Sequence, residues 1–91
     1  MVTAIILIKA LRAKIGEVAE ALVEVKGVTE VYSVAGQYDI VAIIRVKTND
    51  EVAEVATQRL AAVDGIEKTE TLIAFQAYSK HDLAAMFHIG F

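Results

Sequence analysis

Two stretches of the chain carry the same junction. Val25-Lys26-Gly27-Val28 returns thirty-eight residues on as Val63-Asp64-Gly65-Ile66, with a helical pattern before each glycine and a strand pattern after it. From Ala13 to Val25, the apolar residues Ile15, Val18, Leu22 and Val25 recur at the spacing of one helix face, while Glu17, Glu20 and Glu24 mark the wet side. The second helix opens at Thr48-Asn49-Asp50-Glu51, which has the S/T-x-x-E form of a capping box, and its stripe is Val52, Val55, Ala56, Leu60 and Val63. Glycine at each junction is free to take the positive φ at which helices commonly end. Strand patterns run over Val2 to Lys9, Val28 to Val34, Tyr38 to Val46 and Ile66 to Tyr78, the middle two joined by an Ala35-Gly36-Gln37 turn.

The order is therefore βαββαβ. Right-handed crossovers fold such an order into a four-stranded antiparallel sheet with both helices on one face, an α+β arrangement of the ferredoxin-like type. That leaves the other face bare, and the sequence does not make it polar. Ala4, Ile6 and Ile8 oppose Ile5 and Leu7; Ile40, Ala42, Ile44 and Val46 oppose Val41 and Ile43; Ile73 and Phe75 oppose Leu72 and Ala74. The longer sets are expected in the helix-covered core. The set Ile5, Leu7, Val41, Ile43, Leu72 and Ala74, fenced by Lys9, Asp39, Arg45, Glu70 and Gln76, is assigned to the open face. Half a dozen such side chains at about 1.5 kcal/mol each amount to about 9 kcal/mol per subunit, against a folding stability of about 5–15 kcal/mol. Sheet-to-sheet dimerisation, the dimeric α+β barrel arrangement, is the expected shield.

Composition narrows the function. The 91 residues are 56% hydrophobic with a mean hydropathy of +0.51. Even so, the longest apolar candidate, Ala4 to Ile8, stops at Lys9, too short for a membrane span and without the basic stretch that precedes a signal sequence. A cytoplasmic location is expected, with one domain over residues 1–79 and an apolar tail over 80–91. In that tail Ser79-Lys80-His81-Asp82 is read as capping a short helix with Leu83, Met86 and Phe87 on one side, docking on a neighbouring subunit or the domain's own edge. Nine basic and twelve acidic residues are spread along the chain, so no basic face favours direct nucleic-acid binding. Without cysteine there are no disulfides, no thiolate catalysis and no zinc-finger ligand set.

Little else resembles chemistry. Asp39 is a fixed anion at a loop–strand junction. It suits the ammonium of a free amino acid, whose carboxylate the backbone amides of the Gly36 turn would meet; equally, Asp39 caps its own turn or blunts a strand. Tyr38 reads as packing or as a site residue. Thr69 and Thr71 share a strand face and put two hydroxyls on one wall, although ordinary strand propensity accounts for them as well. His81 and His88 lie too far apart along one helix to share a metal ion, and neither a metal nor a cofactor is expected.

The pattern resembles the effector-binding domain of the Lrp/AsnC transcription regulators, known as the RAM domain. The likeness spans about residues 2 to 78. It rests on G-x-Y-D at Gly36 to Asp39, the helix-end glycines, and the G-[IV]-x-x-T-x-T strand entry at Gly65 to Thr71. The resemblance implies a sheet-to-sheet dimer, a higher ring such as an octamer, and an amino-acid effector held between dimers. By position it makes Gly36, Tyr38 and Asp39 the effector loop, with Thr69, Thr71 and Leu72 on the strand close by. It further implies a stand-alone form without the helix-turn-helix and not itself an enzyme; the missing DNA-binding part motivates the expectation that it acts on full-length relatives by mixed assembly. Two other readings stand beside it: a purely architectural oligomer, and a dimeric α+β barrel enzyme, for which Arg45 is the one strand-borne arginine.

Overall fold

The computed structural model of the chain describes residues 1–80. The elements are β1 (Val2–Ala10), α1 (Ile15–Val23), β2 (Val28–Ser33), β3 (Ile40–Val46), α2 (Asn49–Glu54) and β4 (Ile66–Ile73). A 3₁₀ turn at Arg12–Lys14 leads into α1. Helix α2 continues without a break into a π-helical segment, Val55–Arg59, and a final 3₁₀ turn, Leu60–Ala62. The sheet order is β2-β3-β1-β4 and each neighbouring pair is antiparallel, which is the ferredoxin-like topology.

Alternation decides the core. Ile6 sits opposite Ala42 and Ile8 opposite Ile40, and all four are fully buried beneath the helices together with Ala4 and Ile44. Val18 and Leu22 of α1, with Val52, Val55 and Leu60 of the second helix, close the cluster from above. No polar or charged residue among the described residues is buried, so the interior is held by packing alone. The opposite alternation, Ile5, Leu7, Val41 and Ile43, is only half-buried on the helix-free face, as the sequence anticipated.

Both helix-end glycines adopt φ of +102°. Each turn is latched by a cation from elsewhere in the chain. Arg59 Nη1 donates to the Lys26 carbonyl at 2.6 Å beside Gly27, and Lys14 Nζ reaches Asp64 at 2.8 Å beside Gly65. The Lys14 ammonium holds the Asp64 carboxyl below its ordinary range, and Asp64 in turn raises Lys14.

Several sequence expectations need correction. β4 ends at Ile73 and not at Tyr78, so Phe75 leaves the sheet and is 97% exposed. Ile73 does share the helix-facing side, being opposite Ala4, but remains 46% exposed because the helices do not reach over this end of the edge strand. Tyr38 and Asp39 precede β3 instead of belonging to it, Val34 lies just past β2, and β1 runs one residue further, to Ala10. α1 begins at Ile15 after the 3₁₀ turn and ends at Val23. The capping box forms, with Thr48 Oγ1 accepting from the Glu51 amide at 3.1 Å, but Glu51 Oε1 reaches back to the amide of Lys47 at 3.4 Å instead of that of Thr48.

The π segment has no counterpart in the sequence pattern. The Leu60 amide donates to the Val55 carbonyl, five residues back. One turn earlier the Thr57 hydroxyl donates to the Ala53 carbonyl at 2.7 Å, the side-chain competition that loosens a helical ladder. Residues 81–91, which include the expected tail helix and both histidines, lie outside the described residues.

Candidate functional site

The β2–β3 connection is a tight loop closed by the Val34 amide donating to the Asp39 carbonyl at 3.0 Å. Gly36 forms its exposed tip with φ of +143°, and open space surrounds the position a Cβ would take. Tyr38 is half-buried behind it. Asp39 faces inward. Its amide donates to the Ile8 carbonyl at 2.9 Å, and its Oδ2 accepts from the Ala10 amide at 3.0 Å. Lys9 Nζ stands 4.0 Å from the same oxygen. Asp39 thus completes the end of β1 with an acceptor from the neighbouring loop, a variant of the structural role open to it from sequence.

Thr69 and Thr71 do share a face. Their register partners are Ile8 and Ile6, so both hydroxyls lie on the helix-bearing side, exposed. Leu72 pairs with Ile5 and points to the other side, 44% exposed. The three expected strand residues therefore divide between the two faces of the sheet, while Gly36, Tyr38 and Asp39 lie in the loop at its end. Ile8 has Ile40 on one flank and Thr69 on the other, which sets the start of β3 two strand spacings, about 10 Å, from Thr69. Within one subunit the loop and the threonines do not converge on a common pocket.

A cleft with no signature in the sequence opens beside Thr69. It has a volume of about 220 Å³ and runs between the widened second helix (Ala56, Thr57, Leu60) and the start of β4 (Ile66, Lys68, Thr69). Among the described residues no three of His, Cys, Asp and Glu gather to hold a metal ion, and no helix is long and apolar enough to cross a membrane.

At the rim of the open face, Arg45 Nη1 donates to Thr29 Oγ1 at 2.9 Å and to Glu30 Oε1 at 3.2 Å, while the Tyr32 hydroxyl donates to Glu30 Oε2. The Tyr32 hydroxyl first, and Arg45 second, hold the Glu30 carboxyl below its ordinary range. A depressed carboxyl contributes stability above its unfolded pKa and loses it as pH falls through the folded value. Tyr32→Phe is accordingly expected to return Glu30 part of the way to an ordinary titration, read from its side-chain carbonyl carbon by NMR. An unchanged titration would assign the effect to Arg45 alone.

Residues 3–84 match the profile of the Lrp/AsnC ligand binding domain, and the chain belongs to that family. An uncharacterised helix-turn-helix-type transcriptional regulator of Pyrococcus furiosus is 40% identical over 74 residues, covering 81% of this chain and 49% of its own length. The chain spans about half the length of the curated relatives it matches. Among solved structures, TTHA0845 from Thermus thermophilus superposes with a TM-score of 0.82 at 44% identity, covering 88% of this chain and 100% of that one. AsnC of Escherichia coli superposes with a TM-score of 0.78 at 28% identity, covering 86% of this chain and 53% of its own.

Proposed function

We propose that the chain is a non-enzymatic, cytoplasmic module that senses an amino acid or related metabolite and couples it to assembly. Two subunits pair through the faces carrying Ile5, Leu7, Val41, Ile43, Leu72 and Ala74, and dimers join into a ring such as an octamer. The effector sits between dimers, where the Gly36, Tyr38 and Asp39 loop of one meets Thr69, Thr71 and Leu72 of another. By mixed assembly the module adjusts full-length Lrp/AsnC regulators. Membership of a ligand-binding family whose relatives are transcription regulators supports this. The observation that carries the inter-subunit site is the separation of loop and threonines within one subunit, which a second copy would bridge. A Neisseria meningitidis regulator with this fold, 12% identical, is described as an L-Met complex; that likeness extends to the fold and not to its residues, but it makes L-Met the first ligand to try.

A ligand gripping two dimers favours the associated state increasingly as its free concentration rises past its dissociation constant. Light scattering of the purified protein at a fixed protomer concentration, repeated with each common amino acid, is expected to show a rise in mass with one or a few of them. A mass indifferent to all of them, together with no heat in calorimetry, would replace this reading with the purely architectural one. The Asp39–Ala10 bond is the observation that favours that second reading, since it gives Asp39 a role without a ligand. The engagement of Arg45 with Thr29 and Glu30 speaks against its use as a catalytic group.

A further inference from the structure

We propose that Asp39 ties the β2–β3 loop to the start of β4 through the end of β1, and that the tie works by geometry and not by charge. The path consists of consecutive groups. The Ile8 carbonyl accepts from the Asp39 amide at 2.9 Å, the Ala10 amide donates to Asp39 Oδ2 at 3.0 Å, and the Leu11 amide donates to the Gly65 carbonyl at 2.9 Å. Between Lys9 and Ala10 the register of β1 against β4 shifts. A strand's amides point alternately to its two neighbours. Leu11 finds Gly65 on the β4 side, whereas Ala10 faces the flank where β3 has not yet begun, because β3 starts at Ile40. The Asp39 carboxylate stands in for the missing strand carbonyl there. It fixes the bulged end of β1, and that end, one residue later, fixes the glycine from which β4 springs.

The neighbouring charge does not close this contact, since the Lys9 ammonium at 4.0 Å is beyond hydrogen-bond distance. An asparagine at position 39 presents the same oxygen to Ala10. Loop and β4 entry therefore move as one corner, and a ligand that grips the loop shifts the strand bearing Thr69 and Thr71. That last consequence rests on the function proposed above; the tie itself does not.

Amide hydrogen exchange by NMR on the purified protein, with no amino acid present, tests it apart from any sensing role. Asp39→Ala is expected to speed exchange at both Ala10 and Leu11 by about tenfold, the order expected for loss of one ordinary hydrogen bond, while Asp39→Asn stays within about threefold of the parent. Lys9→Met is expected to leave both rates unchanged. Undiminished protection in Asp39→Ala, or Asp39→Asn exchanging as fast as Asp39→Ala, would overturn the proposal. Should Asp39→Ala fail to fold, Asp39→Leu takes its place, filling the same space without an acceptor for Ala10: faster exchange at Ala10 and Leu11 supports the tie, and parental protection refutes it.

Discussion

Gly65→Ala is expected to lower folding stability by about 3 kcal/mol. The backbone at Gly65 has φ of +102°, and a Cβ there would stand 2.9 Å from Val18 Cγ2 and 3.2 Å from Lys14 Cβ. A left-handed backbone costs an L-residue about 1–2 kcal/mol, and forcing a methyl against a packed valine adds about 1–3 kcal/mol. Gly65 cannot back away, because its carbonyl holds the Leu11 amide and its neighbour Asp64 is latched to Lys14. Gly27 shares the φ but its nearest neighbours, Val46 Cγ1 and Val55 Cγ2, stand slightly further off at 3.1 Å, so Gly27→Ala is expected to cost less. Gly36→Ala, with open space around it, bears only the backbone cost. Urea unfolding at one protomer concentration ranks the three, and a Gly65→Ala midpoint at or above that of Gly36→Ala would refute the packing argument.

The paired change Leu7→Lys with Ile43→Lys is expected to reduce the proposed sheet-to-sheet assembly to single, folded subunits. Both positions lie on the helix-free face, Leu7 opposite Glu70 and Ile43 opposite Glu30, so each lysine has a carboxylate partner across the strands in an isolated subunit. The fold should therefore survive. In a twofold pairing each change occurs twice, and stripping water from a lysine ammonium and its carboxylate partner in the closed seam costs about 3 kcal/mol or more per pair. Four of them amount to about 12 kcal/mol, the whole association energy of a nanomolar complex. Sedimentation of the double variant should give the protomer mass with an unchanged far-ultraviolet spectrum. A parental mass would mean that the subunits meet through some other surface.

The alternation that defines β1 and β3 is legible because each of these strands has a neighbour on both flanks and helices on one face only, so residue type tracks side. The same alternation misleads at β4. Ile73 and Phe75 continue the core pattern in sequence, but which edge the helices cover is a property of their packing, and no spacing along the chain reveals it. Asp39 stands out in the sequence as an anion at a critical junction. Its partner is the amide of Ala10, 29 residues away, and contacts at that range leave no periodic trace. The pairing of Lys14 with Asp64, 50 residues apart, is hidden for the same reason. The division of Thr69 and Thr71 from Leu72 follows at once from strand parity. The distance from the loop to the threonines requires the sheet order.

The wide turn at Val55–Arg59 broadens the second helix where it faces the groove. Its closing bond spans five residues in place of four. Gly65 and the strand behind it stay where the bulged end of β1 holds them, whatever happens one turn upstream. One wall of the groove beside Thr69 is thus set by the width of this turn, and the other by the Leu11–Gly65 bond at the entry to β4.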